Sequence, residues 1–178
     1  AKKASELGAE VTLISGPVSL TTPNPSIQRI NVISAQEMFE AVSAQFENQH
    51  IVIMAAAVAD YTPASFSQSK MKKKDGELSI ELKRTQDILA HLGQNKRNQI
   101  LVGFALETNN ERENAQGKLE RKNLDFIVLN SLNDEGAGFA GESNKVSILS
   151  KNNKSIDFEL KSKEDVSVDI LNYIIQHY

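Results

Sequence analysis

The hydrophobic positions of the chain follow two periods in turn, one typical of strands and one typical of helices. Residues 10–16 form a short β-rich run that ends in a turn at Gly16, and a proline-containing connection follows. Residues 34–46 predict an amphipathic helix, because apolar side chains recur every three or four residues. Ser34 and Glu37 form a capping box at its start. The chain is therefore predicted to begin its regular structure with a strand, a loop and a helix.

The run from Ile51 to Val58 is continuously apolar, which predicts a central parallel strand buried on both faces. Between Lys70 and Lys83, the dipeptide Asp75-Gly76 favours a tight turn and predicts a β-hairpin arm. Further strands are predicted at residues 100–105 and 126–130, helices at 87–91, 110–123 and 164–176, and an antiparallel pair at 145–149 and 155–160. This alternation predicts an α/β fold: a Rossmann-like three-layer sandwich with a mainly parallel central sheet, a protruding β-hairpin arm and a C-terminal antiparallel strand pair.

The composition narrows the class of protein. With 178 residues, 40% of them hydrophobic, the chain is predicted to form a single domain over residues 1–178. A net charge of -3 argues against a nucleic-acid partner, and no apolar run approaches the roughly 18 to 20 residues that span a bilayer. We therefore expect no membrane partner and a cytoplasmic location. The absence of cysteine excludes a cysteine nucleophile, and the three histidines lack metal-like spacing.

The first eight residues, Ala1 to Gly8, have the pattern of the last turns of a helix capped by Gly8. A helix that begins in mid-course predicts that its preceding strand lies upstream. The domain is accordingly expected to lack its first strand here.

Three places at predicted strand ends carry candidate chemistry, because ligands of parallel sheets bind beyond the carboxyl ends of the strands. Ala55, Ala56 and Ala57 leave room for a nucleotide, and Asp60 follows as a candidate ligand for a divalent cation. Tight helix packing, with Asp60 as a turn or cap acceptor, explains the same residues without a site. Both interpretations stay open.

Lysines 70, 72, 73 and 74 crowd the predicted arm, where Lys70 and Lys72 share one face. Two ammonium groups could grip a triphosphate, although lysines on an exposed edge also prevent aggregation. Phe104 offers a ring beside the flexible Gly103 at the next strand end, or is a core residue. Lys118, Arg121 and Lys122 form a basic helix end before a predicted strand, and compensation of the helix dipole explains Arg121 and Lys122 without a site.

These motifs occur in a familiar order: AAAVADYTPA, the K-x-K-K segment at residues 70–73, VGFALETN, and RKNLD followed by Asn130. Over nearly all 178 residues the chain resembles phosphopantothenoylcysteine synthetase, also called phosphopantothenate–cysteine ligase. In bacteria this enzyme is usually the C-terminal half of a bifunctional flavoprotein of coenzyme A biosynthesis, whose N-terminal half is a decarboxylase.

The resemblance implies a ligase that uses Mg²⁺ and CTP to join cysteine to 4'-phosphopantothenate through an acyl-cytidylate. It implies Lys70 as the catalytic residue, Lys72 and Asn130 as substrate-binding residues, and Asp60 as the metal ligand. The implied nucleotide-binding residues are Ala55, Ala56, Ala57, Asp60, Lys70, Phe104, Lys118 and Lys122. It also implies a homodimer through residues 66–84, and FMN only on a fused upstream decarboxylase domain.

The chain departs from the family pattern in one respect. The family has an upstream N-x-S-S-G-K-M-G loop that binds phosphates, and no segment here corresponds to it. We therefore expect these 178 residues alone to bind nucleotide weakly and to ligate little, and the full-length parent to be active.

Two other functions remain compatible with the pattern. A nicotinamide-dependent oxidoreductase would require G-x-G-x-x-G after its first strand, which is absent here. A non-catalytic dimerisation module would give the lysines and alanines structural roles only. Preference for CTP over NADPH would distinguish the ligase from the oxidoreductase. A full-length parent that Lys70→Gln leaves unaffected would be the non-catalytic dimerisation module.

Overall fold

The computed structural model of the chain describes residues 1–22, 24–65, 67, 69, 79–131 and 142–177. The helices of this part are α1 Lys2–Glu6, α2 Ala35–Phe46, α3 Ile88–Asn95, α4 Glu111–Arg121 and α5 Lys163–Gln176. The strands are β1 Val11–Ser15, β2 Ile27–Asn31, β3 Ile51–Met54, β4 Tyr61–Pro63, β5 Leu82–Arg84, β6 Ile100–Glu107, β7 Phe126–Ser131, β8 Ser143–Asn144, β9 Val146–Ser150, β10 Ser155–Asp157 and β11 Lys161–Ser162. Most of the predicted elements are thereby confirmed, with boundaries shifted by a few residues.

A five-stranded sheet with the order β10-β9-β7-β6-β3 forms the centre of the fold. Strands β3, β6 and β7 are parallel, whereas β9 and β10 are antiparallel to their neighbours. Strands β1 and β2 form a separate parallel pair. The α/β class, the mainly parallel strands and the C-terminal antiparallel pair are therefore confirmed.

Helices cover the central sheet on both faces, which gives the predicted three layers. One face packs on α2, α3 and α4 through side chains such as Leu92, Leu101 and Leu119, each at most 2% exposed. The other face packs on α5 through Val102, Val128 and Ile174. Alternate residues of β6 and β7 supply the two faces, so residues 100–103 of β6 and 126–129 of β7 are buried.

Local hydrogen bonds explain where helix α2 begins. The Ser34 hydroxyl accepts from the Glu37 N–H at 3.1 Å, as the capping box predicts. The Glu37 carboxylate reaches one residue further back than expected and accepts from the Ile33 N–H at 2.9 Å. At the start of the chain, Gly8 has φ +89° after α1, so the predicted glycine cap is confirmed.

The strand predicted to be central, Ile51 to Val58, is shorter and lies elsewhere. Strand β3 ends at Met54 and forms an edge of the five-stranded sheet, and Ile53 is 39% exposed. The continuous apolar run reflects a strand suited to neighbours on both sides. Only one of those neighbours, β6, is present in the described part of the chain.

The base of the predicted arm is an antiparallel pair, in which Tyr61 faces Arg84 and Pro63 faces Leu82. Most of the predicted hairpin, including Asp75-Gly76, lies outside the described residues. Strand β4 begins after a connection of six residues from β3, and β5 is followed by three residues and then α3.

Candidate functional site

A cavity of about 430 Å³ opens where β3 and β6 end, between the base of the arm and helix α3. Four predicted site residues line it, namely Ala56, Asp60, Phe104 and Lys122. Its other lining residues are Met54, Val58, Tyr61, Arg84, Thr85, Gln86, Asp87, Ile88 and Leu89. Its position at the carboxyl ends of parallel strands matches the prediction.

Backbone contacts hold the segment that carries Asp60 against the other side of the arm. The Thr85 hydroxyl donates to the Ala59 carbonyl at 2.6 Å, and the Thr85 N–H donates to the Asp60 carbonyl at 2.9 Å. The Asp60 side chain is exposed, and among the described residues its carboxylate has no hydrogen-bond or ion-pair partner. The interpretation of Asp60 as a side-chain cap therefore gains no support, and its carboxylate is available to a ligand.

Lys122 is fixed at the opposite side of the cavity by Asp87. The ammonium lies 2.9 Å from Asp87 Oδ2 and 3.0 Å from Oδ1, and the Oδ1 atom also accepts from the Ala90 N–H at 3.0 Å. Burial acts to raise the pKa of Asp87, but the hydrogen bonds from Lys122 and Ala90 outweigh it and lower the pKa. Asp87 therefore stays ionised at neutral pH and orients Lys122.

Arg84 and Tyr61 are cavity residues that the sequence analysis missed. Arg84 stands at the end of β5, with its guanidinium carbon 5.9 Å from the centre of the Tyr61 ring. Both side chains are exposed, so the guanidinium can reach an anionic ligand. The signal was the run Lys83-Arg84-Thr85-Gln86-Asp87 directly after the predicted arm, which combines cations with a helix cap.

Phe104 and Gly103 serve the interior as well as the cavity. Phe104 lines the cavity and also packs, partly buried, on the hydrophobic core beneath α5. A Cβ atom on Gly103 would lie 2.8 Å from methyl carbons of Leu89 and Leu124. The close approach at Gly103 is therefore one of core side chains.

Other predicted residues lie apart from this cavity. The Lys118 ammonium lies 2.6 Å from Glu107 Oε1, and neither residue lines the cavity. The side-chain oxygen of Asn130 is buried without a hydrogen-bond partner among the described residues. Ala55 lines a neighbouring cavity with Ala56, and Ala57 lines neither. Their assignment to the nucleotide or the substrate remains a prediction.

Lys70 and Lys72 lie outside the described residues, so their predicted roles are not tested here. Within the described ranges, no group of three or more histidine, aspartate or glutamate side chains is arranged to hold a metal ion. No helix in that part of the chain is long and apolar enough to cross a membrane.

Comparison with known proteins places these features in a family. The model of the DNA/pantothenate metabolism flavoprotein C-terminal domain matches residues 1–178. The coenzyme A biosynthesis bifunctional protein CoaBC of Bacillus subtilis is 49% identical over 98% of this chain and 43% of its own length. A cysteine/cysteine sulfinic acid decarboxylase from an unknown prokaryotic organism is 52% identical over 98% of this chain and 49% of its own length. The chain thus spans about half the length of these curated relatives.

Solved structures show the same fold. The crystal structure of the C-terminal domain of CoaBC superposes with a TM-score of 0.81 at 40% identity, covering 98% of this chain and 77% of that one. A DNA/pantothenate metabolism flavoprotein from Streptococcus pneumoniae superposes with a TM-score of 0.79 at 19% identity, over 99% of this chain and 85% of that one. The second likeness bears on the fold alone.

Proposed function

Because the chain belongs to the DNA/pantothenate metabolism flavoprotein C-terminal domain family, we propose that it performs the ligase step of coenzyme A biosynthesis, the CTP-dependent joining of cysteine to 4'-phosphopantothenate. The observation that carries this proposal is the cavity that gathers Ala56, Asp60, Phe104 and Lys122 from distant parts of the sequence. These are residues that the resemblance assigns to the nucleotide. The similarity to CoaBC of Bacillus subtilis and to the solved C-terminal domain of CoaBC supports the pathway.

The proposed reaction has two steps. The carboxylate of 4'-phosphopantothenate attacks the α-phosphate of CTP, which forms an acyl-cytidylate and releases pyrophosphate. The amine of cysteine then attacks the acyl carbon, forms the amide and displaces CMP, and the amine proton passes to solvent. Such chemistry depends on positioning and charge stabilisation more than on a strong base, which agrees with a cavity lined by cations and carboxylates.

The charged groups of the cavity suit a triphosphate with a bound divalent cation. Lys122 and Arg84 provide positive charge on separate elements, so they can contact different phosphates. Asp60 fits Mg²⁺, because this ion keeps most of its water and phosphate ligands and takes only one or two protein carboxylates. When bound, Mg²⁺ would neutralise charge on the phosphates. Before the nucleotide binds, Asp87 holds Lys122 beside the cavity.

Calorimetric titration with CTP and then ATP, in the presence of magnesium, tests the nucleotide site. We expect CTP binding in the full-length protein to weaken at least about ten-fold in Asp60→Asn and in Lys122→Ala, the loss of one charge-assisted contact each. Lys154→Ala is the matched control, because Lys154 lies in the turn between β9 and β10, at the opposite edge of the sheet. Equal affinities in all four proteins would contradict the site.

Lys70 is the proposed catalytic residue, and its replacement separates catalysis from binding. In the full-length protein, Lys70→Gln is expected to slow formation of 4'-phosphopantothenoylcysteine by about 100-fold or more, the usual cost of removing one group that stabilises transition-state charge. Quantifying product and pyrophosphate in the same reactions measures this. Unchanged rates would favour the non-catalytic dimerisation module.

The rest of the protein and its assembly belong to the same proposal. We propose, as the resemblance implies, that a decarboxylase domain with FMN is fused upstream and that the arm formed by residues 66–84 contacts a second subunit. A light-scattering mass of one subunit would contradict the dimer.

The decarboxylase name of one relative gives a second candidate function. That name describes a protein about twice as long as this chain. Supplying the 178-residue chain with cysteine sulfinic acid and measuring released carbon dioxide distinguishes the two. The ligase proposal predicts no more carbon dioxide than is released without protein. In a separate titration, binding of NADPH in place of CTP would favour the oxidoreductase.

A further inference from the structure

The turn between α4 and β7 carries Lys122 and contains a residue in the left-handed conformation. Asn123 has φ 51°, a backbone angle that glycine adopts most readily. The Asn123 N–H donates to the Glu120 carbonyl at 3.1 Å, and the Leu124 N–H donates to the Leu119 carbonyl at 2.9 Å. These two bonds form a Schellman motif, which usually has glycine in the left-handed position. The backbone of the turn therefore gives no reason for a side chain at position 123.

The Asn123 side chain joins this turn to helix α3. Its Nδ2 atom donates to the Gly93 carbonyl oxygen at 2.8 Å. Gly93 lies in the last turn of α3, where carbonyl groups lack partners within the helix. Glycine at position 123 would complete the turn but would leave this carbonyl without the bond. The asparagine side chain therefore connects the end of α4 to α3.

Two further contacts hold the same turn against the end of α3. The Lys96 side chain is only 10% exposed, and its ammonium donates to the Asn123 carbonyl at 2.8 Å and to Asp125 at 2.9 Å. A Cβ atom on Gly93 would lie 2.8 Å from the Lys122 carbonyl carbon, so the two backbones are in direct contact. These contacts and the Asn123 side chain fix the backbone at residues 122 and 123.

The Lys122 side chain reaches the other end of the same helix. Its ammonium lies 2.9 Å from Oδ2 of Asp87, the residue that caps the start of α3. Both Lys122 and Asp87 line the cavity of about 430 Å³. A lysine ammonium is carried by a flexible stem of four carbons, so the position of the backbone decides which groups it can reach.

We propose that Asn123 is a positioning residue of the candidate site: its bond to Gly93 sets the backbone of Lys122 so that the ammonium reaches Asp87 and the cavity. Asn123 does not line the cavity, so it acts through Lys122. Its effect on CTP binding rests on the proposed function, whereas its effect on the contact between Lys122 and Asp87 does not.

The pKa of Asp87 reports on this contact without any nucleotide. Burial acts to raise this pKa, but hydrogen bonds from Lys122 and the Ala90 N–H, together with the charge of Arg121, hold it below its usual value. Asn123→Gly keeps the left-handed backbone and removes only the side-chain bond. In the full-length protein, NMR titration is expected to show that this variant moves the pKa of Asp87 up toward about 3.9. An unchanged pKa of Asp87 would overturn the proposal.

Asn153→Gly is the matched control. Asn153 is also left-handed, with φ 56°, and its side chain also forms a hydrogen bond, which it accepts from Gln116 at 3.1 Å. It lies in the turn between β9 and β10, at the opposite edge of the sheet. We expect this variant to leave the pKa of Asp87 and the affinity for CTP unchanged. An equal rise in the pKa of Asp87 in both variants would contradict a specific role of Asn123.

A double substitution tests whether Asn123 acts on the nucleotide through Lys122. Asn123→Gly should raise the Kd for CTP about three- to ten-fold, which corresponds to one hydrogen bond. The double variant Lys122→Ala, Asn123→Gly should bind CTP as Lys122→Ala alone does, because the side chain that Asn123 positions is gone. A further three- to ten-fold loss in the double variant would overturn the proposal. If Lys122→Ala bound CTP as wild type does, the proposed nucleotide site would fail, and the pKa of Asp87 would still decide the role of Asn123.

Discussion

Replacing Asp125 by alanine is expected to lower the free energy of unfolding by about 3 to 5 kcal/mol, the usual cost of removing one partner from a buried ion pair. The Asp125 side chain is only 9% exposed and that of Lys96 only 10%. The Asp125 carboxylate accepts hydrogen bonds from the ammonium groups of Lys96 at 2.9 Å and Lys151 at 2.6 Å. It also accepts from the Leu101 N–H at 2.9 Å. Alanine would leave a buried cation and a buried N–H without their partner.

Urea denaturation measures this loss, and Asp157→Ala is the matched control. Asp157 also pairs with a cation, Arg112, but its side chain is 60% exposed. Exposed pairs contribute about 0 to 1 kcal/mol, so the control should change stability little. Similar losses in the two variants would show that burial does not set the contribution of Asp125.

The same carboxylate predicts how stability depends on pH. Burial acts to raise the pKa of Asp125, but hydrogen bonds from Lys151, the Leu101 N–H and Lys96 outweigh it and hold the pKa below its usual value. Stability from the ionised form is therefore complete above the unfolded pKa of about 3.9 and is lost as the pH falls through the folded pKa. Asp125→Asn should lose less stability than wild type over this acid range, as thermal unfolding at several pH values would measure.

The second large effect is expected from Gly93→Ala, with a loss of about 3 kcal/mol, at the upper end for overpacking. A Cβ atom at Gly93 would overlap the carbonyl oxygen of Lys122 and lie 2.8 Å from its carbonyl carbon. Both are backbone atoms, so α3 must move away from the turn after α4. Because this turn carries Lys122, we also expect weaker CTP binding. Chemical denaturation and calorimetric titration measure the two effects.

Gly117→Ala is the control for Gly93, because Gly117 lies within helix α4. Its added Cβ would meet only the flexible end of Arg121, at 3.1 Å from Nη1. Alanine in a helix is favoured over glycine by about 1 kcal/mol, so this variant should be as stable as wild type or more so. If Gly93→Ala also left the free energy of unfolding unchanged, α3 would be able to move away from Lys122 at little cost.

Local pattern was enough to predict most elements of the fold. The spacing of Met38, Val42 and Phe46 predicted α2, and all three side chains are buried. The place of β3 in the sheet was wrong, because an apolar run indicates burial but carries no information on which strands are its neighbours. Sheet order depends on contacts between distant segments, such as the register of β3 with β6.

The candidate site was likewise predictable from local pattern only in part, because some of its contacts join distant segments. Asp60, Phe104 and Lys122 were predicted because each follows or precedes a strand end, and the structure gathers them around one cavity. Arg84 and Tyr61 were missed because they meet only through the pairing of β4 with β5, across the length of the arm. Asp87 was predicted solely as a helix start, and its contact with Lys122 spans 35 positions.

The two contacts of Asp87 use its oxygens unequally. The Ala90 N–H at the start of α3 is bound through Oδ1, whereas the Lys122 ammonium lies near both oxygens. A phosphate group that draws Lys122 away therefore leaves the helix cap intact. Under the proposed function, Lys122 can therefore exchange Asp87 for a phosphate while the Ala90 N–H keeps its acceptor at the start of α3.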